Sequence, residues 1–438
     1  MKKFLTPITA LLLFTGFAKA QETVYPTKEY KGQLFITNGT VHVGNGQVLE
    51  NATIEVNNGK IVRIGTDIPV SQNNAKLIDA KGKQVYPGLI LPSCDLGLKE
   101  IANGVRGSND YAELGDYNPS VRSIVAYNTD SKITGTLRAN GILLASITPE
   151  GGVISGSSSV VQLDAWNWED AAYKMDGGIH ISLPSFLPRP TGRRAFFFPG
   201  APQPADPVKQ ALDKVDEIKT FFREAKAYEQ ETTHKQTNLK LEAVKGLFNK
   251  TQKLFVHGDQ VKQMLVAIDF VKEFGFDVVI VGGSESYQIA NLLKQNNIAV
   301  ILGSEHELPS MEDDDIDQPF KTPAVLQKAG VLFALNDAFT EARYRNLSFN
   351  AGTAATYGLS KEQALQAITL NTAKILGIDD RTGSLEAGKD ANIVVCDGDI
   401  LDMKSSNVSH AIIQGRDVSL DNKQKQLYER YRYKYGIQ

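Results

Sequence analysis

Histidine, cysteine and clustered carboxylates are the side chains here that could do chemistry, and few of them stand together. The 438-residue chain holds six histidines and two cysteines. His306 lies in Ser304-Glu305-His306-Glu307, where its imidazole could contact a substrate or stand solvated in a loop. Glu312-Asp313-Asp314-Asp315 with Asp317 follows closely. Such a run can hold a cation, but it lacks the glycine and the terminal glutamate of a calcium loop, so it reads as a solvated charge run. Gly151, Gly152 and Gly156, interleaved with Ser155 and Ser157 to Ser159, offer backbone amides that could cradle an anion; a tight loop is the default reading. Cys94 and Cys396 are too few and too far apart for a disulfide framework and read as small buried residues. A nucleophilic Cys94 would need an activating base, and no histidine is near it in sequence.

The elements that must position these groups fall into two patterns. Near the N-terminus, residues 34–43, 52–56 and 61–64 alternate at strand period, and Asn58-Gly59 between the last two reads as a hairpin turn, since both tolerate positive φ. Residues 391–396 and 411–414 are strand-like again near the C-terminus, with Gly398-Asp399 and Gly415-Arg416 as turns. Short strands at both ends suggest one composite β-domain. In the middle, residues 87–91, 142–147, 160–163, 179–183, 254–256, 278–281, 299–302 and 331–335 are eight apolar strand candidates. Amphipathic stretches lie between several of them. Residues 261–274 place Val261, Leu265, Ile268 and Val271 on one face; residues 286–296 place Ile289, Leu292 and Leu293 together. Residues 361–376 place Ala364, Leu365, Ile368 and Ile375 together, with Ser360 as N-cap. Apolar strands with helices between them predict parallel βα units and a (β/α)₈ barrel.

One segment breaks the rhythm. Residues 184–207 are proline-rich, and residues 207–249 read as a charged helical pair with Leu212, Val215, Ile218, Phe221 and Phe222 as its stripe. Such an insertion, at about residues 185–250, could cap the barrel mouth, meet another subunit, or stand as a solvated hairpin.

Composition excludes several classes. A net charge of −3 gives no electrostatic case for nucleic acid or anionic membrane. Lys2 and Lys3, an apolar run over residues 5–17 and Ala18-Lys19-Ala20 read as a signal peptide cleaved before Gln21. The run is shorter than the ~20 residues of a spanning helix, and no later stretch is apolar enough to cross a bilayer. No cysteine follows the cleavage point, so the expectation is a periplasmic or secreted protein without a lipid anchor.

Three blocks together resemble the amidohydrolase superfamily, most of all its imidazolonepropionase-like branch. The first runs through Gly59-Lys60-Ile61 and Asp79-Ala80-Lys81-Gly82 to Tyr86-Pro87-Gly88-Leu89-Ile90. The second holds Arg345-Asn346-Leu347, Ala351-Gly352, Tyr357-Gly358-Leu359-Ser360 and Ile368-Thr369-Leu370-Asn371. The third is the run from Gly383-Ser384-Leu385 through Glu386-Ala387-Gly388 to Lys389-Asp390-Ala391. The resemblance implies a distorted (β/α)₈ TIM barrel over residues 87–382 and a small composite β-sandwich from residues 21–86 and 383–438, after a signal peptide over residues 1–20.

It also implies a metal-dependent hydrolase of carbon–nitrogen bonds other than peptide bonds, and a ligand set against which this chain can be compared. The first-strand His-x-His falls on Ser93 and Asp95. The fifth-strand histidine is His257, the sixth-strand histidine falls on Gly282, and the aspartate that binds metal and takes the proton is Asp337. His180, at the fourth strand, joins His306 as a substrate-contact candidate or substitute ligand; its direction is left open. The donors Asp95, His257 and Asp337 thus form a reduced metal site, expected to be empty or to hold a divalent ion weakly. Zinc fits best if any ion binds, since a catalytic zinc usually has three protein ligands, and Mg²⁺ or Ca²⁺ would want more oxygens. The expectation is a catalytically impaired pseudoenzyme that binds a small amide or peptide-like ligand, forms a homodimer or partners an active homologue. The alternative is an active hydrolase of non-peptide or dipeptide C–N bonds that uses an atypical metal site of Asp95, His257 and Asp337, with His180 as a further candidate ligand, a metal-bound water as nucleophile and Asp337 as base.

Overall fold

The computed structural model describes residues 25–71, 75–100, 110–187, 206–231, 233–309, 313–337 and 342–437. The expected signal peptide and most of the proline-rich stretch lie outside them. The chain opens with β1 (Gln33–His42), β2 (Val48–Asn57), β3 (Lys60–Gly65), β4 (Lys76–Asp79) and β5 (Gln84–Pro87). Asn58 and Gly59 take φ of 47° and 75°, the two positive values of a tight hairpin.

A second sheet follows: β6 (Leu89–Cys94), β7 (Ile142–Ile147), β8 (Ile154–Gln162), β9 (Ala172–Ser182), β10 (Lys253–Gly258), β11 (Val278–Gly282), β12 (Ala299–Leu302) and β13 (Phe333–Leu335). These eight strands lie side by side in chain order. The ring is nearly closed, with the Asn336 amide donating to the Ser93 carbonyl at 2.9 Å across the seam between β13 and β6. Last come β14 (Ile393–Cys396), β15 (Val408–Ile413) and β16 (Arg416–Val418), which join β5 and so merge both chain ends into one sheet. The turn before β16 is Gln414-Gly415, one residue earlier than expected. A Cβ on Gly415 would stand 2.8 Å from the Cα of Gly59, so the two hairpin turns pack backbone to backbone and neither tolerates a side chain.

The eight strand candidates all form, but they are not all parallel. β8 runs antiparallel to both β7 and β9. The reason is the connection: residues 148–153 are too few for a parallel crossover, which needs a dozen or more. Gly151 and Gly152, at φ of 86° and 65°, turn the chain directly back. The expected glycine-serine loop is therefore a β-hairpin, and Ser155 and Ser157 to Ser159 lie within β8.

The helices that matter are α1 (Lys132–Arg138), α2 (Pro207–Gln230), α3 (Val261–Phe274), α4 (Ala290–Gln295), α5 (Gln318–Ala329), α6 (Leu347–Thr356), α7 (Lys361–Ala367), α8 (Leu370–Leu376) and α9 (Lys423–Tyr435). The single helix expected over residues 361–376 breaks between α7 and α8. At the break the Ile368 carbonyl accepts from Ile90 N–H at 3.0 Å, tying the helix pair to the first barrel strand. The Ser360 cap holds, in a reciprocal box with Gln363. In α2 the buried face is Ala211, Val215, Ile218, Phe222, Ala225 and Tyr228, and Leu212 points outward. Phe222 packs against Phe270, Phe274 and Phe276, while Lys219 and Arg223 pair with Asp269 and Glu273. This helix therefore lies against α3 in the outer layer. In α3 the buried face includes Met264, Ala267, Ile268 and Phe270, and Leu265 is exposed.

Inward-facing Ile90, Leu144, Phe255, Val279, Ile301 and Ala334 fill the barrel as one apolar cluster. Their strand neighbours, such as Leu89, Leu91 and Ile280, face the helices.

Candidate active site

Strand alternation settles His180. Ile179 and Ile181 belong to the outer core, while His180 pairs in register with Phe255 and stacks on its ring at 4.7 Å. It thus points into the barrel. Its Nδ1 lies 2.9 Å from Nε2 of His257, two residues past Phe255 on the same face, and its Nε2 lies 2.8 Å from the Ser158 hydroxyl. Burial, and then the neighbouring His257, hold the His180 imidazole well below the ordinary histidine range; burial lowers His257 to about 4. Both rings are therefore neutral at pH 7, and one of them donates to the other.

Asp337, just past β13, is fully buried. Its Oδ2 accepts from the Asn350 amide at 2.9 Å, and its Oδ1 lies 3.1 Å from Arg343 Nε. Arg343 also donates to Ser304. Burial pushes the Asp337 carboxyl up, while Asn350 and Arg343 pull it down. The Arg343 contact is a charge pairing, not an aligned hydrogen bond, since Oδ1 has no hydrogen-bonding partner among the described residues; the same holds for Oδ1 of Asn336 and of Asn350.

Asp95 is buried beside β6 and accepts from the Tyr344 hydroxyl, which in turn accepts from Asp95 N–H at 3.3 Å. Lys99 Nζ stands 3.6 Å from the other Asp95 oxygen. Ser93 shares a 3.2 Å hydrogen bond with Thr148. Cys94 faces away from this set, toward the Ser146 carbonyl at 3.5 Å, and burial pushes its thiol far up, so it carries no thiolate. His306 is at the rim, with Nε2 2.8 Å from the Thr353 hydroxyl. Burial lowers its pKa, with Asp337 opposing. Away from the mouth, His42 bonds to Glu362, His234 stacks on Tyr228 and His410 meets Asp417.

Residues 224–418 match the model of the amidohydrolase family. A crystal structure of an amidohydrolase from Thermotoga maritima superposes with a TM-score of 0.70 at 27% identity, covering 88% of this chain and 99% of that one. Residues 224–418 thus carry the amidohydrolase-family pattern, and the chain as a whole is similar in fold to an amidohydrolase. Sequence similarity runs to the imidazolonepropionase of Picrophilus torridus, 31% identical over 170 residues, and to that of Thermoplasma volcanium, 35% identical over 86 residues. Those matches span 38% and 19% of this chain, and 40% and 21% of the two relatives. A prolidase complexed with N-methylphosphonate-L-proline shares the fold, with a TM-score of 0.55 at 16% identity and coverage of 88% and 99%.

The amidohydrolase superfamily implies a divalent metal, and the donors present in this chain do not fit it. Among the described residues, no three His, Cys, Asp or Glu side chains come together where an ion could sit. The separate partners explain why. His257 Nε2 is spent on His180, Asp337 faces the Arg343 guanidinium, and Asp95 is held by Tyr344 and Lys99. At the sixth-strand position Gly282 has φ of 102°, and a Cβ there would stand 2.6 Å from Asp259 Oδ1. A side chain there would strain the backbone and displace the Asp259 carboxylate. Tyr344, Asn350 and Ser158 escape the sequence because each acts through a partner well outside its own turn of chain, and Arg343 because no local pattern marks a loop arginine as the partner of Asp337. Arg343 carries a weak signal, since it stands two residues before the Arg345-Asn346-Leu347 block.

Proposed function

We propose that this chain is an exported amidohydrolase-fold protein that binds a small amide- or peptide-like ligand at the barrel mouth and lacks the superfamily's hydrolytic metal. The Asp337–Arg343 pair carries the reading. A carboxylate whose superfamily role is to bind a cation and take a proton here faces a guanidinium of its own chain at 3.1 Å. Arg343 supplies a fixed positive charge, and it cannot generate a metal-activated water. The unpartnered buried amide oxygens of Asn336 and Asn350 favour a ligand that brings N–H donors. Export rests on the targeting pattern at residues 1–20, and a homodimer is the working assembly.

Metal analysis of protein purified without chelators tests this directly. Well under one zinc, iron or manganese per chain is expected. A stoichiometric metal that is lost in Asp337→Ala would overturn the reading.

A second reading has its own support. Burial raises the Asp337 carboxyl toward the range of a general base, as a working hydrolase of C–N bonds would need. Under that reading Asp337→Ala abolishes turnover of whichever amide the wild type cleaves, and unchanged turnover rejects it.

A further inference from the structure

Beside Asp337, at the ends of β10, β11 and β12, lies a cavity of about 130 Å³. Four carboxylates line it: Asp259, Glu305, Glu307 and Asp314. No Lys, Arg or His is among its described lining residues. Glu305 is the decisive one. It is 2% exposed, and its Oε2 has no hydrogen-bonding partner among the described residues. A buried carboxyl oxygen without a partner costs on the order of 1–3 kcal/mol or more. Burial favours the protonated acid when no cation is bound, and an entering cation would offset the cost of releasing that proton to solvent.

The cavity also joins the candidate active site. Ser304, on its wall, accepts from the Arg343 that faces Asp337. Gly282 forms another wall. Burial raises the Glu307 carboxyl; Arg343 opposes this, and Asp337 and Asp259 add to it, which places all four in one electrostatic neighbourhood.

The chemistry of the ligand follows from the walls. Carboxylates select a cation. The described carboxylates do not converge closely enough to grip a metal ion, which points to an extended organic cation. Leu302, Leu308, Pro309 and Pro319 supply apolar contact for a carbon chain behind the charge. We infer that this cavity is a subsite for the alkylammonium or alkylguanidinium end of the ligand, with Glu305 as its buried counter-ion. The inference deepens the proposed binding function and rests on it for its setting, but it is tested by binding alone, whether or not the protein turns anything over.

The experiment is calorimetric titration of the full mature chain with n-butylammonium, n-butylguanidinium, the neutral n-butylurea and Mg²⁺. Saturable binding of the two organic cations is expected, with n-butylurea at least tenfold weaker. Glu305→Gln should weaken the cations at least tenfold. Glu307→Gln should weaken them a few-fold, and it carries the test if Glu305→Gln does not fold. Equal binding of n-butylurea and n-butylguanidinium, no cation binding, displacement of the cations by equimolar Mg²⁺, or undiminished binding in the folded variants each overturns the inference. None of those outcomes touches the metal-content test, so the broader reading stands or falls separately.

Discussion

Nδ1 of His180 and Nε2 of His257 meet at 2.9 Å inside the barrel, in a direct imidazole–imidazole hydrogen bond between adjacent parallel strands. Two neighbouring imidazoles that both stay neutral form a stable contact without a cation between them. Protonating both rings would set two donors against each other and break the bond, and charging even one of them is opposed by burial.

That arrangement predicts acid sensitivity. The folded-state pKa of His257 is lowered by burial to about 4, against 6.5 for the free group. Between those values the unfolded chain binds more protons than the folded one. Stability is therefore lost as pH falls through 6.5 toward 4, by roughly 2 kcal/mol at pH 5 for this one group. Glu305 acts in the opposite sense, because burial raises its folded pKa and the folded state takes its proton first. The informative quantity is thus a difference. Urea unfolding at pH 7 and pH 5 should show a smaller acid loss in His257→Gln than in the wild type, and equal losses would contradict the neutral pair.

Removing Arg343 should be costly in a way that a second substitution relieves. Asp337 is fully buried, and Arg343→Met leaves its charge facing an apolar chain. Breaking a buried pair in this way costs about 3–5 kcal/mol. Adding Asp337→Asn removes the stranded charge, so the double variant should be more stable than Arg343→Met alone. Chemical denaturation of the three variants checks the order, and additive losses would argue against the pairing.

Gly282→His should not rebuild a metal site. The backbone there has φ of 102°, and a Cβ would stand 2.6 Å from Asp259 Oδ1 and 3.3 Å from the Gly258 carbonyl. The variant should lose on the order of 1–3 kcal/mol of stability from backbone strain alone, and gain no zinc affinity. Thermal unfolding with and without added zinc reads both, and a zinc-stabilised variant would contradict this geometry.

How far the sequence reached depended on the range of the interactions involved. Asn58-Gly59 and the eight apolar runs were legible because turn chemistry and strand burial are local. The reversed direction of β8 was not, since periodicity is the same in both directions and only the shortness of residues 148–153 hinted at a hairpin. Leu212 and Leu265 were assigned to buried faces but are exposed, because several faces of α2 and α3 carry apolar residues and tertiary packing chose among them. His257 and Asp337 could be placed by the resemblance. What occupies them could not: His180 meets His257 only when their two strands pair, and no local pattern marks Arg343 as the partner of Asp337.

The composite sheet and the barrel are joined by a charge cluster that makes a last prediction. Asp164, 3% exposed just past β8, accepts from Arg138 of α1 and from Arg416 of β16, each at 2.9 Å. It also accepts from Thr27 N–H at 2.9 Å. One carboxylate thus holds the N-terminal segment, the barrel and the last strand together. Asp164→Asn keeps the shape but strands two largely buried guanidinium groups, at an expected cost of about 3–5 kcal/mol. Adding Arg138→Met removes one of them and should recover part of that loss. Because Arg416 belongs to the composite sheet and Arg138 to the barrel layer, Asp164→Asn should also separate their unfolding, with calorimetry showing two transitions where the wild type shows one. A single transition with a loss below about 1 kcal/mol would mean that the apolar contact between the two units, not this latch, holds them together.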